Sequence, residues 1–362
     1  MVQGGGWWTH PATLIGSALA FVLVGLSLSS RPVLLEARHD ASELVRQWPV
    51  LPPQWPWEED REGWVQAARV NRKLERKRRE GDSVIYFLHV SKAGGTTLCK
   101  RASMHGEVTT TQGGSGPARG LHCNFASSKH KGLDERINGN KAEQEDFHAE
   151  IREVCNSESG CGLTFVGNER QLAKPGHFLS ATDRPWIYVT SVRDPLDLVL
   201  SNFIMISDDR WGKISHPSIG DLLNYLPRVS RGGHLVSLFA GYMPSKGNIT
   251  MGPDPSLVNA DIMEERYAEA IDRLKHFSVV MEMSLFERSY QVLLDRMGWA
   301  PDESMDNVIL NARDSACMRC EPAFQNSAEL RKQLFTIWHV DLRFHSVCAA
   351  LAEKMIAEVT PA

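Results

Sequence analysis

Three short runs of apolar residues constrain the fold of this chain more than any other feature. Val84–Val90, Trp186–Val192 and Phe277–Met281 are almost continuously hydrophobic, which is typical of strands buried on both faces. Helical patterns lie between and after these runs, at Asp261–Leu274, Leu285–Met297 and Ala328–Ile356. Strands that alternate with helices predict an α/β fold, with a mainly parallel sheet flanked by helices.

Length, composition and net charge exclude several classes of protein for this chain. A chain of 362 residues suits one large domain with appendages, and 42% hydrophobic with 23% charged residues excludes a wholly disordered chain and a multi-span membrane protein. The net charge of −4 argues against a strongly basic nucleic-acid binder, so we expect no nucleic-acid partner.

The N-terminal region predicts a membrane segment followed by a stem. Residues 1–30 contain no Lys, Arg, Asp or Glu, and the uncharged stretch Ala12–Ser30 has the length of a transmembrane helix. It is either a signal anchor or a cleaved signal peptide. Basic residues follow the span and none precedes it, so the positive-inside rule alone would place the C-terminal side in the cytoplasm.

The sequence therefore divides into three predicted parts. Residues 1–30 are the membrane segment, 31–80 a stem or linker, and 81–362 the main folded domain. The stem contains a highly charged helical stretch, Arg69–Arg79. We interpret this stretch as a solvated helix that spaces the domain from a membrane, the alternative being a surface for polyanions.

The first chemical motif is a glycine turn directly after the first predicted strand. Ser91–Leu98 reads SKAGGTTL. Gly94 and Gly95 permit unusual backbone angles and close approach of a ligand, and a helix that begins at Thr96 or Thr97 would point its N–H groups at the turn. With the charge of Lys92, this is a predicted phosphate site. It is not a Walker A loop, because Lys92 precedes the glycines.

The second motif ends the strand Trp186–Val192. Arg193 is followed by Asp194, a suitable helix N-cap, and by a proline that suits the first helical turn. Arg193 and Ser201 could hold a second phosphate at the carboxyl end of the strand. The alternative is a structural salt bridge between Arg193 and Asp194 or Asp197. Two such sites suit a nucleotide with separate phosphates, and 3′-phosphoadenosine 5′-phosphosulfate (PAPS) is the candidate.

These motifs resemble those of PAPS-dependent carbohydrate sulfotransferases, in particular the Golgi group of heparan sulfate 2-O- and 6-O-sulfotransferases. His89–Thr97, HVSKAGGTT, is similar to that family's H-[IV]-x-K-[TA]-G-G-T-T turn, and Arg193–Pro195 matches its R-D-P. Gly120–His122 resembles the segment that carries a catalytic histidine in the 6-O enzymes. Weaker similarities lie at Phe286–Leu294 and Asp341–Phe344.

The resemblance implies a P-loop-like sulfotransferase fold and assigns the site residues. Lys92 stabilises the transferring sulfuryl group, and His122 is the catalytic base. The 5′-phosphate is held by the turn, and the 3′-phosphate by Arg193 and Ser201. The turn residues are Lys92, Ala93, Gly94, Gly95, Thr96 and Thr97. No metal is required.

Other histidines and cations are secondary candidates. His89 is interpreted as structural, because strand alternation places it beside the turn. The lower-ranked bases are His105, His130 and His148. The acceptor, a glycan or polysaccharide, would need a basic cleft, for which the candidates are Arg101, Lys129, Lys131, Arg210 and Lys213.

The resemblance also implies a Golgi membrane protein, single-pass and type II, with a luminal domain. Asn248 begins a glycosylation sequon. Of the seven cysteines, Cys155 and Cys161 could form a local disulfide, and Cys317 with Cys320 a redox pair or a metal half-site. The membrane partner is one N-terminal helix.

Two other functions stay open at this point. One is a P-loop-like phosphotransferase, which would need a Mg²⁺-binding carboxylate at a strand end and a lysine inside the loop. The other is a non-catalytic glycan- or nucleotide-binding protein of the same fold, in which the phosphate motifs persist without the base.

Overall fold

A computed structural model describes residues 55–90, 92–109, 123, 163–168, 172, 185–209, 220, 234–241, 260–301 and 328–360. The predicted membrane segment 1–30, residues 31–54 of the predicted stem, His122 and the Asn248 sequon lie outside these residues, as do the four cysteines singled out above. Within the described residues, no helix has both the length and the apolar character that a membrane span requires.

The described strands form one parallel sheet. They are β1 (Val84–His89), β2 (Phe165–Asn168), β3 (Trp186–Val192) and β4 (Phe277–Glu282), in the spatial order β2-β1-β3-β4. All three pairings are parallel. Every residue of these strands is buried, as the continuous hydrophobicity of β1, β3 and β4 predicts for a sheet covered on both faces. The predicted α/β class and parallel sheet are confirmed.

Helices flank this sheet. In chain order they are α1 (Pro56–Glu59), α2 (Arg61–Arg79), α3 (Gly95–Met104), α4 (Pro195–Asp209), α5 (His234–Phe239), α6 (Ala260–Leu274), α7 (Phe286–Met297) and α8 (Ala328–Val359). A single 3₁₀ turn, Met283–Leu285, joins β4 to α7. The three predicted helical patterns correspond to α6, α7 and α8 within a few residues.

The sequence analysis missed strand β2 and helix α5, as it missed the four-residue α1. Strand β2 has four residues and helix α5 has six, too few for either the strand or the helix period to repeat clearly. Contacts with neighbouring elements determine the positions of such short elements, as α5 shows. The backbone N–H of Val236 in α5 donates to the buried Asp341 carboxylate of α8 at 2.9 Å. Phe239 packs against Phe277 of β4 and Phe344 of α8, with ring centroids 5.4 and 4.9 Å apart.

Helix α2, assigned to the stem by the sequence analysis, packs against the sheet domain. Ala67 is buried, and the buried Asn71 side chain donates to the carbonyl of Lys275, just before β4, at 3.3 Å. Arg79 donates to the carbonyl of Asp295 at 2.9 Å. These residues belong to the compact unit Val50–Ala362. The opposite face of the helix carries exposed basic residues: Arg69, Arg72, Lys73 and Arg76.

Candidate functional site

The strand order creates a topological switch point between β1 and β3. The chain proceeds from β1 to β2 on one side, and from β3 to β4 on the other. In open parallel sheets, ligands bind in the crevice at the carboxyl ends of the strands at such a point. The turn containing Lys92 follows β1, and Arg193 follows β3. The two sequence motifs therefore flank the crevice that this topology provides.

Both glycines of the turn are required by their surroundings. Gly94 is the N-cap of α3 with φ of +77°, and a Cβ there would lie 2.7 Å from the Met283 sulfur. A Cβ on Gly95 would overlap the imidazole of the buried His89. Helix α3 begins at Gly95, one residue before the earlier of the two starts that the sequence analysis considered. His89 lies beside the turn, as expected from strand alternation.

Lys92 has a left-handed backbone, with φ of +68°, the one such non-glycine among the described residues. Non-glycine residues with this conformation are uncommon and concentrate at functional sites. The Lys92 carbonyl oxygen accepts a hydrogen bond from Arg193 Nη1 at 3.4 Å. The structure thus brings together the two basic residues that the sequence analysis assigned to separate phosphates.

Hydrogen bonds hold the turn on the sheet. The N–H of Ala93 donates to the Val90 carbonyl at 3.1 Å, and the Ala93 carbonyl accepts from the hydroxyl of Ser191 in β3 at 2.5 Å. The Ala93 N–H therefore stabilises the turn itself. The first N–H groups of a helix point past its N-terminus. In α3 these belong to Gly95, Thr96 and Thr97, which are buried with the turn.

Arg193 forms the salt bridge that the sequence analysis weighed as the alternative to a phosphate contact. Its side chain is 28% exposed and forms an ion pair with Asp197 at 3.6 Å, in addition to its bond to Lys92. Asp194 is the N-cap of α4, as predicted: its carboxylate accepts from the N–H groups of Leu196 at 2.8 Å and Asp197 at 3.3 Å. Ser201 is half-buried on α4, seven residues after Asp194, and so about 10 Å further along the helix axis.

Cys99 and Cys123 form a disulfide that the sequence analysis missed. Their Cα atoms are 5.3 Å apart, and Cys123 also accepts a hydrogen bond on its carbonyl from Gly167 of β2 at 2.9 Å. The bond ties Cys123 to α3, the helix that begins at the glycine turn. His122, the neighbour of Cys123 in the chain, lies outside the described residues. Spacing alone could not have selected this pair among seven cysteines.

A carboxylate–imidazole pair next to Arg193 was also missed. Glu282 ends β4 opposite Val192, the residue before Arg193. Its side chain is 5% exposed, and it accepts from the N–H of Ser284 at 2.8 Å and from the Ser284 hydroxyl. Nε2 of His345 on α8 lies 3.4 Å from its other oxygen. The predicted strand stopped at Met281, one residue short, and no local pattern marks His345.

The pKa of each member of this pair is shifted in the direction that favours its charged form. Burial opposes the charge on Glu282, but the hydrogen bond and charge of His345, with the bonds from Ser284, lower the pKa of the carboxyl below its usual value. Burial likewise opposes the imidazolium. The hydrogen bond to Glu282 and the fields of Asp194, Glu282 and Asp197 outweigh it and raise the pKa of His345 above its usual value.

Two secondary predictions are corrected by the structure. Arg101, a candidate for the acceptor cleft, is 1% exposed and pairs with Glu287 of α7 at 3.0 and 2.9 Å, so it is a structural residue. His105, a lower-ranked base, follows the opposite end of α3 from the turn and bonds to the Tyr290 hydroxyl at 2.8 Å. The other candidates for these two roles, His130, His148, Lys129, Lys131, Arg210 and Lys213, lie outside the described residues.

No model of a known protein family matches this chain, and no curated protein matches it. The described residues contain no group of three or more His, Cys, Asp or Glu side chains that could hold a metal ion. We therefore infer the function from the residues and geometry of the chain itself.

Proposed function

We propose that this chain is a PAPS-dependent sulfotransferase with a P-loop-like sulfotransferase fold. It would transfer a sulfuryl group to a hydroxyl of a glycan or polysaccharide. The adjacency of Lys92 and Arg193 supports this most. Two basic residues from separate strand ends meet through one 3.4 Å hydrogen bond at the switch point. A nucleotide with phosphates on both the 3′ and the 5′ position suits this arrangement.

Each residue of the site has a role in nucleotide binding. The helix N-terminus formed by Gly95, Thr96 and Thr97 suits the 5′-phosphate, since its dipole and N–H groups favour an anion. Gly94 permits the close approach of that phosphate, and Ala93 holds the turn on β3. Arg193, with Ser201 further along α4, would bind the 3′-phosphate. To do so, Arg193 would exchange its exposed ion pair with Asp197 for a bond to phosphate.

The reaction follows from these positions. The acceptor hydroxyl oxygen attacks the sulfur, and a new S–O bond forms. The bond between sulfur and the 5′-phosphate oxygen breaks, and its electron pair leaves on that oxygen as 3′-phosphoadenosine 5′-phosphate (PAP). Lys92 offsets the negative charge that develops there. His122 takes the proton of the hydroxyl. Cys123, the neighbour of His122 in the chain, is joined by a disulfide to α3. This bond supports the choice of His122 as the base.

The disulfide also supports the proposed compartment. Structural disulfides persist mainly in oxidising compartments, and Cys99–Cys123 joins two buried residues of the domain. A luminal domain in the Golgi, anchored by the segment within residues 1–30, is consistent with such a bond. The membrane orientation remains a proposal, because the basic residues after the predicted span favour the opposite side.

A phosphotransferase is less favoured by the same geometry. Glu282 is a carboxylate at a strand end, as a magnesium site would need, but its oxygens are engaged with Ser284 and His345. Lys92 precedes the glycines and has no counterpart inside the loop. A non-catalytic binding protein would share the phosphate motifs, so it must be distinguished by activity.

Calorimetric titration of PAP into the full-length chain tests the proposal. We expect binding by the wild type, and a loss of at least about tenfold in affinity for Lys92→Ala and for Arg193→Ala, since each removes a charged phosphate contact. The exposed His339→Gln on α8 is a control that should bind normally. A folded wild-type chain that does not bind PAP would overturn the proposal.

His122→Ala separates an enzyme from a binding protein. We expect this variant to bind PAP like the wild type and to lose sulfuryl transfer from labelled PAPS to a panel of glycans. Transfer that persists at the wild-type rate would exclude His122 as the base. A wild-type chain that binds PAP but transfers to no acceptor would favour the non-catalytic alternative.

A further inference from the structure

We infer that His345 and Glu282 are positioning residues for the nucleotide site, acting through Asp197 on Arg193. In its charged form, His345 would relieve the carboxylates beside the 3′-phosphate position and so strengthen nucleotide binding. This inference rests on the proposed function, because it assumes that Arg193 binds a phosphate.

The pair is placed directly against the phosphate site by the sheet. Glu282 is in register with Val192, the residue before Arg193. The next residue after Glu282 is Met283, whose sulfur lies against Gly94 of the turn. Helix α8 brings His345 to the same end of β4, with Nε2 3.4 Å from Glu282 Oε1. Elements from three parts of the chain thus meet around one crevice.

The charges at this end of the sheet are unfavourable for an anion without His345. Three carboxylates lie there: Asp194 and Asp197 at the start of α4, and Glu282 at the end of β4. Against them stand the ion pair of Arg193 with Asp197 and the imidazole of His345, which feels the fields of all three carboxylates. Cys348, one turn further on α8, is buried, and burial raises the pKa of its thiol, so it adds no charge.

A phosphate at Arg193 must compete with Asp197. The two side chains form an ion pair at 3.6 Å, which a bound phosphate would separate or share. An imidazolium at His345 offers Asp197 a second cation and offsets the charge of Glu282. With a neutral imidazole, the phosphate would meet the carboxylates with only Arg193 and Lys92 to balance them.

The sign of the pH dependence follows from the raised pKa of His345. The imidazole holds its proton below that pKa, which lies above the usual value near 6.5. Its contribution to nucleotide affinity is therefore complete at acidic pH and is lost as the pH rises through the shifted pKa. The phosphates of PAP titrate near pH 6 as well, so the affinity of the wild type alone does not isolate the effect.

The test compares the dissociation constant of PAP for the wild type and His345→Gln, in the full-length chain, from about pH 5.5 to 8.5. Dividing the dissociation constant of His345→Gln by that of the wild type cancels the effect of the titration of PAP, because that effect is common to both proteins. We expect His345→Gln to bind about tenfold more weakly at the acidic end, with a difference that narrows as the pH rises through the pKa of His345. His339→Gln, on the exposed side of the same helix, should show a ratio of one throughout.

Glu282→Gln is the second variant, and it tests the coupling without removing the imidazole. It takes away a charge that raises the pKa of His345, so the fall in affinity with rising pH should occur at lower pH than in the wild type. It also keeps the test valid if His345→Gln does not fold. An unchanged pH dependence in Glu282→Gln would overturn the inference.

The outcomes separate this inference from the proposed function. PAP binding that depends on Arg193 but shows a constant ratio between wild type and His345→Gln overturns the positioning role and leaves the sulfotransferase proposal in place. The absence of PAP binding by the wild type overturns both. If the dissociation constant of His345→Gln divided by that of the wild type falls as the pH rises, and His339→Gln binds normally, the result supports the role proposed for His345.

Discussion

At the scale of single residues, Lys92 places a positive charge at the candidate site and also has a backbone conformation that is unfavourable for a residue with a side chain. Its φ of +68° lies in the left-handed region, which costs a non-glycine residue about 1–2 kcal/mol. The neighbouring turn residues are held by Val90 and Ser191, so the surroundings maintain the conformation. Strain of this kind is retained where it serves the site.

We predict that Lys92→Gly stabilises the fold and weakens nucleotide binding. Glycine relieves the left-handed strain but adds freedom to the unfolded chain, which leaves a net gain of about 0.5–1 kcal/mol. Lys92→Ala keeps the strain and should be close to the wild type in stability. Both variants lose the lysine charge, so both should bind PAP weakly. Urea denaturation measures the stability difference, and a glycine variant less stable than the alanine variant would contradict the role of strain.

At the scale of elements, helix α3, which follows the glycine turn, is held against α7 by one buried arginine. The guanidinium of Arg101 on α3 forms a two-point ion pair with Glu287 on α7. It also lies over the rings of Tyr290 and Phe286, with 4.3 and 5.2 Å to the ring centroids. Arg101 is 1% exposed and Glu287 is 59% exposed. Loss of Arg101 would therefore leave an exposed carboxylate, whereas loss of Glu287 would leave a buried guanidinium without a counter-charge.

We predict that Arg101→Ala lowers the free energy of unfolding by about 3 kcal/mol, because it removes a buried group that packs on two aromatic rings. Glu287→Gln should cost about 2 kcal/mol, since its amide oxygen can still accept one bond but the buried guanidinium of Arg101 loses its counter-charge. The exposed Arg288→Gln on the same helix is the control. Equal losses for Arg101→Ala and Glu287→Gln in thermal or urea unfolding would mean that the pair, and not the aromatic packing, determines the effect.

At the scale of the whole molecule, the Cys99–Cys123 disulfide closes a chain segment between the first helix of the site and the neighbourhood of β2. The two cysteines are 24 residues apart. Cross-linking a segment of that length restricts the unfolded chain and stabilises a fold by about 3 kcal/mol. The bond also tethers the residue that follows His122.

We predict that the double variant Cys99→Ala, Cys123→Ala unfolds at a lower temperature, by an amount equivalent to about 3 kcal/mol. A reducing agent should also lower the midpoint of the wild type, and it should lower the midpoint of the double variant by less. Cys348→Ala is the matched control, because Cys348 is the buried free thiol among the described residues. Its midpoint should still respond to the reductant. A wild-type midpoint insensitive to full reduction would contradict the prediction.

For the proposed anion site, the sequence predicted the separate segments more completely than the way in which they come together. Lys92, Gly94, Gly95 and Arg193 each follow a strand that the apolar pattern predicted, because strand ends and glycine turns are local features. The pairing of Lys92 with Arg193 depends on β1 and β3 being neighbours, which no local pattern encodes. His122 stays a prediction, as it lies outside the described residues.

Sequence alone determined which segments are strands and helices, and where the charged turn lies, since these depend on hydrophobic period, capping and backbone freedom within a few residues. Only the tertiary structure decided three further features. It placed Glu282 and His345 beside Arg193, buried Arg101 against α7, and joined Cys99 to Cys123. Each of these contacts joins residues far apart in the chain. The order of parallel strands and the packing of helices on them determine such contacts, and local pattern does not encode them.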